Sequence, residues 1–225
     1  MRTLTAGDSS SAAVAELAHG LAFWAARFRA IPGATTPTGE LNPAQALAGV
    51  PHLPEQTGVI ASRLARLADV PGWHCAQAAL RARADDAEVV SLLEDLVGSA
   101  TLRYLTHGHG SPVLLVHTAA APNAVLHTLP SLPRPLWAPS VAAVWSASAA
   151  IVSAYEPTYA VPREELPEAP TDDDGVAEVV QRSADHGDEH GIKFTDTAVE
   201  VYARTSNPDA LAAAIRIAEL IEPRA

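Results

Sequence analysis

The chain has one cysteine, one lysine and few aromatic residues. Cys75 has no second cysteine with which to form an internal disulfide, so a reducing compartment is expected. Phe, Tyr and Trp make up only 5% of the 225 residues, while alanine supplies much of the 48% apolar fraction. Segments rich in alanine and poor in β-branched residues favour helices over strands. The composition therefore predicts an all-α protein with enough apolar residues to bury a core.

Several common functional signatures are also missing. The net charge of −11 argues against nucleic acid and anionic membranes as partners, since both are bound by clustered cations. There is no P-loop, no GxSxG motif and no GxGxxG motif after a strand, so a flavin or nicotinamide on a Rossmann unit is not expected. The N-terminus lacks the pattern of a signal peptide, which together with the lone cysteine predicts a cytoplasmic protein. Uncharged residues 136–155 are long enough to span a bilayer, but their Ala and Ser content predicts a buried helix instead.

The order of capping and helix-breaking residues predicts a single helical domain over residues 1–225. We expect weak points at Gly98 and Gly187 and a kink at Pro122. Helices are expected at about residues 10–29, 44–48, 55–68, 74–105, 112–129, 136–155, 176–205 and 210–221. The first helix is expected to be capped by Ser9 or Ser10. Four of its apolar residues form one stripe at helical spacing: Leu17, Leu21, Trp24 and Phe28.

The segment with the strongest chemical signal is residues 185–196. If it forms one continuous helix, His186, His190 and Lys193 project from one face, within about 60° of one another. Two histidines four residues apart are a common way for a helix to present two imidazoles to one metal ion. Asp188 and Glu189 would then orient the two rings without binding the metal. A solvated polar helix face is the alternative interpretation.

Lys193 is the only lysine in a chain with fourteen arginines. Burial and a neighbouring dication both disfavour the ammonium form of a lysine, and the neutral amine can add carbon dioxide. The resulting carbamate is an anionic oxygen ligand, which arginine cannot provide. The alternative is a lysine at the rim of the core, with its ammonium group in water.

Two further histidines are candidate ligands from separate helices. His19 has alanines on its side of the first helix, which leave space for a group other than protein. His117 ends an apolar run, residues 113–116, where an unpaired imidazole would be costly. A buried and hydrogen-bonded core histidine is the alternative for each. The sequence leaves the roles of His107, His109 and His127 open.

Three segments of the chain, residues 19–28, 115–118 and 186–195, resemble the questin oxidase family, and the last is the most specific. The resemblance extends over roughly residues 10–205. It implies an oxygenase that cleaves or inserts oxygen into a ring of an anthraquinone-type polyketide, with dioxygen as second substrate. It also implies non-haem iron(II) held by histidines and a carboxylated lysine. The matching positions are His19, His117, His186, His190 and Lys193, and we take His190 and His117 as the candidate catalytic residues.

Two other functions stay open at this point. In the first, no metal is needed and His190 or His117 acts as a general base on an acidic phenol. In the second, the chain is a non-catalytic binding protein for a hydrophobic small molecule. The sequence does not distinguish a monooxygenase from a dioxygenase, and it gives neither the exact substrate nor the oligomeric state.

Overall fold

The structure is a computed structural model that describes residues 10–82, 85–170 and 174–223. It is 72% helical and forms a single compact domain. No strand occurs in these residues, where the only extended pairings are isolated bridges between Gly39 and Arg81 and between Leu41 and Leu80. The prediction of an all-α fold is confirmed.

Helices of very different length follow one another along the chain. Short 3-10 turns connect several of them, for example at Gly108–Gly110 and Arg163–Glu165. The α-helices are α1 (Ser11–Arg27), α2 (Pro43–Ala48), α3 (Ile60–Ala65), α4 (Trp73–Ala79), α5 (Asp86–His107), α6 (Pro112–Leu115), α7 (His117–Thr128), α8 (Trp137–Tyr155), α9 (Gly175–His186), α10 (Glu189–Thr205) and α11 (Pro208–Leu220).

Helix α5 lies at the centre of the domain. It begins after Asp85, whose side chain accepts a hydrogen bond from the Glu88 backbone and so caps the helix. It packs against α2, α7, α8, α10 and α11. The buried apolar residues of α5 form one helical stripe: Val89, Leu92, Leu93, Leu96, Val97, Ala100, Tyr104 and Leu105. Because α7 and α10 both pack on this helix, the fold brings their surfaces together.

Helix α8 is the uncharged segment that was expected to be buried. Arg134–Tyr155 is long and apolar enough to cross a membrane, but 56% of its most apolar window is buried inside the domain. Trp145 of this helix is fully buried, and its indole Nε1 donates a hydrogen bond to the Gln77 carbonyl. These are features of a core helix in a soluble protein, and the expectation is confirmed.

Helix α1 packs on the domain less than the other long helices. Of the two expected caps, Ser10 caps it, accepting a hydrogen bond from the Ala13 backbone. Its apolar stripe is exposed, with Leu21, Trp24 and Phe28 at 54%, 62% and 57%. The end of α1 faces α8 across an open cleft of about 740 Å³. The cleft has Trp24 and Phe28 on one side and small residues of α8 on the other.

Three helix boundaries also differ from the predictions. The helix expected at residues 55–68 begins only at Ile60, because Gln56 instead donates hydrogen bonds to the carbonyls of Ser153 and Glu156. Residues 74–105 are divided between α4 and α5, and the break does not fall at Gly98, which lies inside α5. The helix expected at residues 112–129 is interrupted at Val116.

Candidate metal centre

The chain breaks its helix at Gly187, in the middle of the segment that predicted the metal site. Gly187 ends α9 in the left-handed region, with φ of 75°. Asp188 then caps α10, its Oδ1 accepting hydrogen bonds from the backbone N–H groups of His190 at 2.9 Å and Gly191 at 3.2 Å. The weak point expected at Gly187 is confirmed. The expectation that His186 shares a helix face with His190 is therefore wrong.

His186 is turned toward the end of α11. Its Nε2 donates a hydrogen bond to the Ile221 carbonyl at 2.9 Å, which fixes the ring. Its Nδ1 is buried without a hydrogen-bond partner among the described residues. No described contact joins this ring to His190, so its predicted role as a ligand stays a prediction.

His190 lies beside two carboxylates. Its Nδ1 is 3.4 Å from Asp188 Oδ1 and 3.8 Å from Glu189 Oε1. One ligand atom from each of the three residues lies within 4.8 Å of the other two. The Nδ1 of His190 is also buried and makes no hydrogen bond in the described part of the chain. An unsatisfied imidazole nitrogen beside two carboxylates suits a bound cation, since both groups are metal ligands.

His117 brings a second imidazole to the same place. It is the first residue of α7, and its ring centre is 5.8 Å from that of His190, with the ring planes at 85°. Two imidazoles that bind one metal ion at about 2.1 Å have ring centres about 5 Å apart. Burial, followed by the charges of Lys193 and His190, holds the pKa of His117 below its ordinary value. The ring is thus neutral near pH 7, as metal coordination requires.

Lys193 lies near His117 and His190 but is not buried. It lies three residues after His190 on α10, and its charge reaches His117. Its side chain is exposed, so the burial that was expected for it is wrong. A carbamate on Lys193 stays a prediction that rests on its position beside the two imidazoles.

His19 is remote from this group in every described contact. It lies on α1, where it is exposed, and a side chain added at the neighbouring Gly20 would meet nothing within 4 Å. The alternative of a buried core histidine is therefore wrong for His19. Its role as a ligand stays a prediction.

The sequence did not predict that Asp188 and Glu189 lie beside the ring of His190, in a group whose atoms could hold a metal ion. Both were expected only to orient the histidine rings. The signal that would have shown otherwise is local: a glycine followed by aspartate ends one helix and caps the next. As the cap of α10, the Asp188 side chain accepts hydrogen bonds from the first turn of the helix, and this places its carboxylate beside the ring of His190.

A second polar cluster, the Glu156 cluster, consists of Glu156, Arg103, His52 and Gln56. Glu156 is 2% exposed, and its carboxylate accepts hydrogen bonds from Arg103 Nε at 2.6 Å and Nη2 at 2.5 Å. His52 Nε2 lies 3.3 Å from the same carboxylate, and Gln56 donates to the Glu156 carbonyl at 2.9 Å. Burial alone would raise the pKa of Glu156, but the bonds to His52 and Arg103 outweigh it and lower that pKa. Because both carboxylate oxygens are satisfied, we assign this cluster to stability.

His107 ends α5 near the Glu156 cluster, and His109 lies in the turn that follows. His107 Nδ1 is 2.7 Å from Thr106 Oγ1, and burial, opposed by the Glu156 charge, lowers the pKa of His107. The ring of His109 packs at 4.9 Å from that of Tyr159, and burial lowers its pKa too. Neither histidine reaches the group around His190 through a described contact.

Comparisons of this chain with protein-family models, with curated proteins and with solved structures find no match.

Proposed function

We propose that the protein is a metal-dependent oxygenase with its metal centre between α7 and the start of α10. The observation that carries the proposal is the buried Nδ1 of His190, which makes no hydrogen bond to any described residue and lies beside two carboxylates. In this proposal His190, Asp188 and Glu189 hold the ion, and His117 joins them from α7.

The donor atoms suit a first-row transition metal. Imidazole nitrogen combined with carboxylate oxygen is the set used by non-haem iron(II) sites that leave positions open. This agrees with the iron implied by the resemblance to the questin oxidase family, and iron bound there would supply the activation of dioxygen. A carbamate on Lys193 would add an anionic oxygen. His19 and His186 are also implied by the resemblance, but we leave them outside the proposed ligand set.

The chain itself offers a proton acceptor at the same place. Because burial and neighbouring charges lower the pKa of His117, its imidazole is neutral near pH 7. When no metal is bound to it, a neutral ring nitrogen there can accept the proton of an acidic phenol. The same property supports the alternative enzyme, in which His117 or His190 is the general base and no metal takes part.

The cleft beside α1 suits the binding of an apolar, flat substrate. Its volume of about 740 Å³ lies within the range of small-molecule sites, and Trp24 and Phe28 supply aromatic surface. Val125 of the cleft follows His117 by eight residues on α7, which is about 12 Å along a helix. An anthraquinone-type polyketide, as the resemblance implies, matches these dimensions. The cleft equally suits a non-catalytic protein that binds a hydrophobic small molecule.

A cytoplasmic location is part of the proposal. Cys75 is exposed and unpaired, which suits a reducing compartment.

Metal analysis of the purified protein tests the proposal first. We expect one equivalent of iron at the centre after anaerobic loading, and its loss in His190→Ala. His74→Ala is the matched control, because His74 is also a helical histidine but is exposed and far from the centre in sequence. Equal iron content at this site in His190→Ala and the control would contradict the metal centre.

Oxygen consumption then separates the enzyme from the binding protein. We expect the iron-loaded protein to consume dioxygen when an anthrone or anthraquinone is added, and His190→Ala to consume none. Turnover that is unchanged after chelation would favour the metal-free general base. Tight binding of the compound without any turnover would favour the binding protein.

A further inference from the structure

Helix α1 and the residue that follows it present a row of large apolar side chains to solvent. The row extends the exposed stripe of α1 by one residue toward its start, and we call its five members the α1 stripe: Val14, Leu17, Leu21, Trp24 and Phe28. Intervals of three and four residues keep these side chains within about 80° of one another around the helix. The rings of Trp24 and Phe28 pack edge to face at 5.7 Å. A contiguous apolar surface of this kind marks a place where another macromolecule binds.

Helix α1 also lacks the packing that stabilises helices. Of its 17 residues only Ala13 is buried. In the described part of the chain, no other helix packs extensively against it. Most of the stability of a helix in a protein comes from packing of its apolar face, and Gly20 in the middle of α1 weakens the helix further. We therefore expect α1 to pack against a partner in solution.

The spacing of the α1 stripe is that of a coiled coil. Apolar residues at alternating intervals of three and four form the contact line between two paired helices. The positions that flank this line include the small residues Ala18, Gly20 and Ala25. A Cβ atom added at Gly20 would meet nothing within 4 Å, so this side of the helix is open. A second helix with the same stripe could therefore approach α1 closely.

The charges of α1 favour an antiparallel partner of the same sequence. Glu16 and Arg27 are eleven residues apart, which places them on the same side of the helix, within about 20°. In an antiparallel pair with Leu21 of each copy opposite Trp24 of the other, Glu16 of each copy comes level with Arg27 of the other. A parallel pair would set like charges side by side and would align the two helix dipoles unfavourably. The stripe and its charges are thus complementary to a second copy of themselves.

We propose that α1 is a dimerisation helix, and that its stripe packs antiparallel against the α1 stripe of a second copy of this chain. Aromatic side chains bury about 150–250 Å² each, so Trp24 and Phe28, at 62% and 57% exposure, would bring about 400–600 Å² from the two copies together. A biological interface buries about 1,000 Å² or more. The aliphatic residues of the stripe and the alanines beside it supply the remainder.

A membrane fits this helix less well than a second copy does. Helices that lie on membrane surfaces carry lysine and arginine along their polar face. The polar side of α1 has no lysine, and it includes Glu16. The net charge of −11 also repels anionic lipid.

The dimer would bring the partner's helix to the cleft between α1 and α8. Trp24 and Phe28 belong both to the α1 stripe and to the lining of the cleft. A partner helix packed on the stripe therefore lies at the rim of the cleft and narrows its opening. The dimer does not depend on the metal centre or on activity, so the two proposals can fail separately.

Sedimentation velocity of the full chain tests the dimer. A reductant is included, because the exposed Cys75 could otherwise link two copies by a disulfide. We expect a species of twice the 23.5 kDa chain mass at micromolar concentration. Leu21→Glu should raise the dimer Kd about a hundredfold or more, since it places a carboxylate in the apolar contact. Phe23→Ala is the matched control: Phe23 is also exposed on α1, at 68%, but lies off the stripe, so the dimer should remain.

A charge exchange tests the antiparallel arrangement. Glu16→Arg should raise the dimer Kd severalfold, and the double variant Glu16→Arg, Arg27→Glu should restore it. Failure of the double variant to recover would contradict this arrangement. If Leu21→Glu does not fold, as judged by circular dichroism, Leu21→Ala decides the matter with a Kd raised about tenfold.

Three results would overturn the dimer proposal. A wild type that stays monomeric at high micromolar concentration would show that α1 does not pair. A dimer that persists unchanged in both Leu21 variants would be built on another surface. Monomers that sediment with vesicles of anionic lipid would assign the α1 stripe to a membrane instead.

Discussion

The Glu156 cluster and the contact between α7 and α10, called here the α7–α10 seam, are both polar groups set among packed helices, yet they differ in how completely their atoms are paired. The seam runs from His117 and His190 at one end to Asn123, His127 and Glu200 at the other. In the cluster, Arg103 and His52 together contact both oxygens of the Glu156 carboxylate. In the seam, Nδ1 of His190 and Oδ1 of Asn123 are buried and make no hydrogen bond to any residue that the structure describes. A buried polar group that is fully paired stabilises one arrangement of the chain, whereas an unpaired one leaves a position for a ligand.

The two regions also differ in what they connect. The Glu156 cluster contains residues from the loop before α3, from α5 and from the end of α8. Its hydrogen bonds therefore connect three separate parts of the chain. The seam joins only α7 and α10, along adjacent helix faces. Loss of a single group should therefore reduce stability more in the cluster, and reduce ligand binding more in the seam.

The largest effect is expected when the Glu156 cluster is broken at its centre. Glu156→Ala leaves Arg103 with a buried and unpaired charge, which should lower the free energy of unfolding by about 3–5 kcal/mol. Urea denaturation followed by circular dichroism measures this loss. Metal binding by the folded variant should be unchanged, because no residue of the cluster contributes to the seam.

Arg182→Ala provides the control for this variant, since Arg182 pairs with Glu178 at the surface and should contribute about 0.2–1 kcal/mol. The pH dependence gives a second check. The pKa of Glu156 is lowered in the folded protein, so its stabilisation is complete above the ordinary glutamate pKa of about 4.3. It is lost as the pH falls through the lower folded value. The difference between wild type and Glu156→Ala should therefore shrink between pH 7 and pH 3, and a difference that grows toward low pH would contradict the role of the carboxylate.

A smaller effect, confined to the ligand, is expected at Lys193. Lys193→Arg keeps the positive charge but cannot form a carbamate, because the guanidinium stays protonated. We expect the variant to bind iron at the centre around His190 at least tenfold more weakly and to lose oxygenase activity, with little change in unfolding free energy. Dialysis against iron(II) under carbon dioxide measures the affinity.

Lys193→Ala is the companion to that experiment. It should recover part of its iron when a short carboxylate such as acetate is added, since the added anion takes the place of the carbamate. Normal iron binding and turnover in Lys193→Arg would show that Lys193 is an ordinary surface lysine, which its exposure also permits.

The contrast between the two regions also explains how much the sequence could predict. The all-α fold, the cap at Ser10 and the buried helix α8 depend on local composition, and they were predicted correctly. The stripe of α1 has the spacing of a core-facing helix, but spacing does not state whether a partner surface is present. The exposure of Trp24 and Phe28 could only be learned from the structure.

Both polar regions contain contacts that no local pattern shows. The hydrogen bonds of Glu156 join residues more than fifty positions apart, and Asn123 meets Glu200 across 77 positions. His117 and His190 were selected from the sequence because of their surroundings and spacing, and the structure does bring their rings together. Spacing misled for His186, because the continuous helix it assumed ends at Gly187.

The smallest effect is expected at His186, and it separates two histidines that the sequence treated alike. Within the described part of the chain, His186 and His190 each have a buried Nδ1 that makes no hydrogen bond, but only the Nδ1 of His190 lies beside carboxylates. The Nε2 of His186 holds the Ile221 carbonyl after the end of α11. His186→Ala should therefore cost about 1 kcal/mol of unfolding free energy, the contribution of one hydrogen bond, and leave the metal content unchanged.

His190→Ala should show the opposite pattern, with its metal lost and its stability nearly intact. Loss of iron in His186→Ala, with the stability unchanged, would restore His186 as a ligand and require the end of α9 to turn toward the seam when the metal binds.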